Sequence, residues 1–133
     1  MISFLKYHLP VILYGALVLG VSSIPNLRTP EVRYLASDKI AHFLEYAFFA
    51  LLAFRSTSHL LRSQSRFLPF LAALLWLAGF AVVDEVLQSF IPGRHSDWLD
   101  YVFDLAGAVA VLLLLFWNRQ RGARKSTSAA VDK

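Results

Sequence analysis

Residues 67–91 read FLPFLAALLWLAGFAVVDEVLQSFI, and their length and composition decide the fold class. From Phe67 to Val83 there is no charged side chain. At about 1.5 Å rise per residue, these roughly 25 residues exceed the ~20 that a helix needs to cross the hydrocarbon of a bilayer. Three further apolar segments accompany them: Leu9 to Ile24, Ile40 to Phe54 and Trp98 to Trp117. The Ile40 segment is short, but Ala36 to Lys39 can extend it. A chain of 133 residues that is 57% hydrophobic, with mean hydropathy +0.54, cannot bury that much apolar surface in one water-soluble core. The expected fold is all-α: a polytopic integral membrane protein with four transmembrane helices. Residues 1–121 form the expected four-helix transmembrane domain. Residues 122–133, which are small, polar and basic, form an expected disordered tail.

The charges divide across the four segments. The chain start, the second loop and the tail hold Lys6, Arg55, Arg62, Arg66, Arg119, Arg121, Arg124, Lys125 and Lys133, nine of the thirteen Lys and Arg residues. Those regions hold one carboxylate, Asp132, while the other eight acids lie in or beside the first and third loops. Short loops rich in Lys and Arg stay in the cytoplasm, so both termini are expected there and the first and third loops outside.

Composition also narrows the partners. The net charge of +4 comes from the tail and second loop, with no soluble domain to present it, so nucleic acid is excluded and membrane lipids are the expected contacts. Cysteine is absent, which removes disulfides and thiolate metal sites. Lys6, the run Leu9 to Val21 and then Ser22-Ser23 also fit a signal peptide. Pro10, Gly15 and Gly20 within that run are equally at home in a membrane helix.

Pro92 and Gly93 end the third helix, Ser96 or Asp97 suits the N-cap of the fourth, and Ser37 or Asp38 that of the second. Around these ends three polar sets come into register. Asp38, His42 and Glu45, spaced four and three apart, share one helix face; Asp84 and Gln88 are four apart with Glu85 one step around; Asp97, Asp100 and Asp104 repeat three and four apart. By helical rise, Glu45, Asp84 and Asp104 all lie about 10–12 Å below the outer interface, so the three stripes are expected to converge on one outward-facing pocket. An ionised residue near the bilayer centre costs about 2.5–3.5 kcal/mol on insertion scales, so these groups must face the bundle interior or a wet cavity. Lys39, His42, Arg94 and Arg33 are among the cations on that side.

His42 beside carboxylates suits either proton transfer or a plain hydrogen bond. Arg94 suits a bidentate grip on a phosphate or carboxylate, or a loop contact. No compact ligand motif such as HExxH occurs, so no metal site is assigned and no cofactor is named. Gly107, between Ala106 and Ala108, reads as a close-packing position. His59 and His95 read as solvated loop histidines, and Trp76, Trp98 and Trp117 as lipid-facing or interfacial anchors.

The run Asp38-Lys39-Ile40-Ala41-His42-Phe43 with Glu45-Tyr46, then Asp84-Glu85-Val86-Leu87-Gln88, then Pro92-Gly93-Arg94 ahead of Asp97, Asp100, Asp104 and Gly107, resembles the VanZ-like family of small bacterial membrane proteins. These motifs occur in order over about half the chain, each at a helix end. One departure is Asp104, where many members carry Asn. The family is named for a protein associated with resistance to the glycopeptide teicoplanin. The resemblance therefore implies the bacterial cell membrane and an envelope role rather than a particular reaction.

The expected site comprises His42, Glu45, Asp84 and Glu85 as candidate catalytic groups, with Asp38, Lys39, Gln88, Arg94, Asp97, Asp100 and Asp104 as ligand-binding groups. Its expected ligand is a polar or anionic lipid or a lipid-linked cell-wall molecule, held or modified there, with Arg94 on an anionic group. Two other readings stay open. The network could pin the bundle of a non-enzymatic accessory subunit, or it could line a small transporter or proton path, which four short helices could form only as an oligomer.

Overall fold

A computed structural model describes residues 2–25, 35–61, 65, 67–94 and 96–131. Among these the chain is helical without strands: α1 (Ile2–Tyr7), α2 (Leu9–Ser22), α3 (Leu35–Leu60), α4 (Leu68–Ser89) and α5 (Trp98–Val131). Pro10 explains the break between α1 and α2, since it has no N–H to offer the Lys6 carbonyl one turn back. Pro69 sits in the first turn of α4, where a missing N–H costs nothing, and the Ser65 hydroxyl accepts the Leu68 N–H at 3.0 Å. At the other end of α4, Phe90 and Ile91 close tight turns onto Leu87 and Gln88, and Gly93 turns the chain with φ 79, the left-handed region that glycine enters without strain. Asp97 then caps α5, its Oδ1 accepting the Leu99 N–H at 3.0 Å.

Three expectations are corrected at the element level. α3 begins at Leu35, so Ser37 and Asp38 fall inside its first turn rather than capping it, where the Asp38 carboxylate still complements the positive end of the helix dipole. α5 continues as helix to Val131 through the stretch expected to be disordered. Extending a formed helix needs no new nucleus, and Ala, Arg and Lys all favour it. His59 is a residue of the last turn of α3, not of a loop. Most of the first loop, with Arg33, and also Arg62, Arg66 and His95, lie outside the described residues.

Two helices, Leu68–Ser89 and Trp98–Gly122, are long and apolar enough to cross a membrane, with mean hydropathy 2.0 and 2.1. Only 33% and 28% of those apolar windows is buried in the molecule, unlike the core helix of a soluble protein. The other two expected spans fall short for different reasons. α2 is apolar but has 14 residues, whereas α3 has 26 and is interrupted by Asp38, Lys39, Glu45 and Arg55.

α3 packs most extensively on α5, with α4 against both and α2 along one side. The centre holds Tyr46, Phe49, Leu77 and Leu112 together with the small residues Ala50, Ala53, Ala73, Ala81 and Ala108. Close approach is most severe at Gly107, where a Cβ would lie 2.1 Å from the Phe43 carbonyl oxygen, so this glycine is a close-packing position as expected. The polarity is inverted relative to a water-soluble domain. Leu13, Leu17, Leu44, Leu75, Val83 and Leu114 are exposed, while Lys39, Asp84, Glu85, Asp100 and Asp104 are buried.

Candidate functional site

The polar stripes of α3 and α5 meet directly. Lys39 stands at the first contact, its ammonium donating to Asp97 Oδ2 at 2.7 Å and to Asp100 Oδ1, with Asp38 at 3.7 Å. One turn deeper, His42 Nδ1 is 3.0 Å from Asp104 Oδ1 and His42 Nε2 is 3.7 Å from Asp100 Oδ1. The spacing that puts Lys39 and His42 on one face of α3 thus meets Asp100 and Asp104 at matching rises on α5. The Lys39 ammonium beside Asp97 holds that carboxyl below the usual range, aided by the Leu99 N–H. Asp38, His42 and Asp100 bring ligand atoms within 4.8 Å of one another, spacing that would suit a cation. In this arrangement the Lys39 ammonium supplies that positive charge.

α4 joins by two routes. Glu85 Oε2 accepts the Ser96 hydroxyl at 2.9 Å and the Asp97 N–H at 3.1 Å, which ties it to the capping turn of α5. Gln88 Nε2 donates to Asp84 Oδ2 at 3.3 Å and to Ser22 Oγ of α2 at 3.4 Å. Glu45 is half-buried within Coulombic range of His42, Asp84 and Arg94. Among the described residues, no hydrogen bond links Asp84 or Gln88 to the stripe on α3.

Arg94 takes a different place from the one its charge suggests. Its Nε donates to the Ser22 carbonyl at 3.2 Å and its Nη2 to that of Val21 at 3.3 Å. It therefore adds two donors to the last turn of α2, where the Val21 carbonyl also accepts the Ile24 N–H at 3.1 Å. Lys39 is the cation that pairs with the carboxylates.

Sequence reasoning missed three contributors. Ser22 had been read only as part of a cleavage signal, and Ser96 only as a cap. Tyr46 is fully buried with its hydroxyl unpartnered among the described residues. Its position four residues after His42 was the signal that it shares that face.

The balance of groups sets what the site can do. Asp84 Oδ1, Glu85 Oε1 and Asp104 Oδ2 are buried without a hydrogen-bond partner among the described residues. A buried acceptor left unmet costs about 1–3 kcal/mol, so three of them form a strong demand for donors: protons, hydroxyls or ammonium groups. Glu85 also borders an opening. Between α4 and the start of α5 lies a cleft of about 300 Å³, walled by Val82, Val86 and Trp98 and edged by Glu85, Ser96 and Tyr101.

Among curated proteins and among solved structures, nothing matches the chain. The family model described as VanZ/LLP1 matches residues 8–119, which contain α2, α3, α4 and every residue of the buried network, and the chain belongs to that family.

Proposed function

We propose that this chain is a multi-pass protein of the bacterial cell membrane, with four spans, both termini in the cytoplasm and its carboxylate network toward the outer face. In this reading it binds the polar head of a lipid or lipid-linked envelope molecule in the cleft between α4 and α5. The observation that carries the proposal is Glu85. This carboxylate edges an amphipathic cleft, one oxygen held by the Ser96 hydroxyl and the Asp97 N–H and the other buried just beneath it without a partner among the described residues. Val82, Val86 and Trp98 suit an acyl or prenyl chain, and an acceptor at the end of that wall suits a head that donates, through hydroxyls or an amine. The anionic head first expected, with Arg94 as its clamp, is less well supported, because Arg94 is spent on α2. His42 and Asp104 lie deeper and are available to take up or release a proton.

The test uses Glu85→Gln, which keeps the volume and an acceptor for Ser96 but loses the charge. Binding of phosphatidylethanolamine and of a diacylglycerol glycolipid to the detergent-solubilised full chain should show saturable uptake in native mass spectrometry. Uptake should weaken about tenfold in Glu85→Gln, the size of a charge-assisted hydrogen bond, with the unfolding midpoint unchanged. Equal uptake by both forms would sink the proposal. A lower midpoint with equal uptake would assign the network to bundle packing instead.

A further inference from the structure

A second cluster occupies the opposite end of α3, separated from His42 by roughly 25 Å of helix at 1.5 Å per residue. There the His59 ring stacks on Tyr7 of α1, with centroids 4.1 Å apart and planes 14° from parallel, and meets His8 edge-on at 5.5 Å. His8 Nδ1 lies 2.7 Å from Ser56 Oγ. Two cations converge on the same tyrosine: Arg55 lies 5.2 Å and Lys6 5.4 Å from the Tyr7 ring centroid. Arg119 of α5 reaches the neighbouring Ser58 hydroxyl at 3.4 Å. Three helices therefore deliver positive charge to one end of the bundle.

No acid balances it. The sequence has no Asp or Glu from Met1 to Pro30, from Tyr46 to Val83 or from Leu105 to Val131, the stretches that build this end. Lys6 and Arg55 are both exposed, and like charges gathered on one ring attract an anion from the surroundings. His8 and Ser56 of this cluster line an apolar cavity of about 330 Å³, walled by Phe4, Val11, Ile12, Ala53 and Trp76. Beside His8, the His59 Nδ1 is buried without a hydrogen-bond partner among the described residues.

We propose that this end is a separate binding site for one anionic phospholipid, its phosphate held by Lys6 and Arg55 beside the His8–His59 pair and one acyl chain lying in the cavity between α1, α2 and α3. The guanidinium of Arg55 offers the planar fork that fits a phosphodiester, and the Lys6 ammonium adds a point charge. Tyr7 keeps both cations from folding back into the bundle, because each spends its approach on the ring face. The site stands or falls independently of the carboxylate cleft, with which it shares no residue.

Trp76 walls the cavity, so it can report occupancy. With Trp98 and Trp117 replaced by Phe, it is the one remaining tryptophan of three. The full chain is reconstituted in phosphatidylcholine vesicles carrying a minority of brominated phosphatidylglycerol, or of brominated phosphatidylcholine as the control. Quenching should be stronger with the anionic lipid, and that preference should fall about tenfold in Lys6→Gln/Arg55→Gln, near what two surface cations contribute. It should also weaken at high ionic strength. The paired variant must keep the parent unfolding midpoint; if it does not, Arg55→Lys, which keeps the charge, should retain most of the preference. Equal quenching by the two lipids would overturn the proposal. So would displacement of the preference by inorganic phosphate at matched ionic strength, which would make this a site for a free anion.

Discussion

Asp97 uses its two oxygens for different tasks. Oδ1 caps α5 through the Leu99 N–H, and Oδ2 takes the Lys39 ammonium. Substitution separates them. Asp97→Asn keeps a capping oxygen and loses the ion pair, whereas Asp97→Ala loses both and should cost about 1 kcal/mol more, the usual worth of an N-cap. The pH dependence follows from the same contact. The Asp97 carboxyl is held below its ordinary value of 3.8. Its contribution to stability is therefore complete above that value and is lost as pH falls through the lowered folded value. Unfolding midpoints in detergent should fall below about pH 4 in the parent, with part of that fall missing in Asp97→Asn. An unchanged acid limb would show that the Lys39–Asp97 ion pair adds nothing. His42 carries a comparable lesson about reading a residue in isolation. Its expected hydrogen bond to a carboxylate is present, to Asp104, and an amide in place of that carboxylate could accept the same bond.

Among the elements, the pairing of α3 with α5 is the most tightly specified contact, because the Phe43 backbone fills the space that a side chain at position 107 would need. Gly107→Ala should push the helices apart and cost about 1–3 kcal/mol, as overpacking does, lowering the unfolding midpoint and the amount of protein in the membrane. Gly79→Ala is the matched control. Its Cβ meets nothing within 4 Å, so alanine there should stabilise by about 0.5–1 kcal/mol through helix propensity. If the two substitutions behave alike, the close approach is not real. Length and apolar composition made α4 and α5 legible in the sequence, and periodicity the stripes that bring Lys39 and His42 to Asp100 and Asp104. Periodicity could not reveal α1, whose six residues are too few to carry a period and fold against α3 through Tyr7 and His59. Nor could it reveal the partner of Arg94. Charge complementarity points to nearby carboxylates, but the Ser22 and Val21 carbonyls at the end of α2, distant in sequence, are its acceptors.

For the whole molecule, the inverted polarity and the charge division make orientation testable. A reporter active only in the cytoplasm should work when fused after Arg62 or Lys125 and fail near Asn26 or Ser96, as the excess of Lys and Arg at the chain start, second loop and tail requires. The reverse pattern would turn the carboxylate cleft inward and the Lys6–Arg55 end outward. Arg94 has a consequence for how the bundle is assembled. The Ser22 carbonyl that it meets lies 72 residues earlier in the chain, so a ribosome releases α2 long before the donor that closes its end exists. Gln88 reaches Ser22 across a similar interval. α2 is thus complete long before the groups that lock its end are made, and a stalled or truncated chain ending before residue 88 would leave α2 loosely seated.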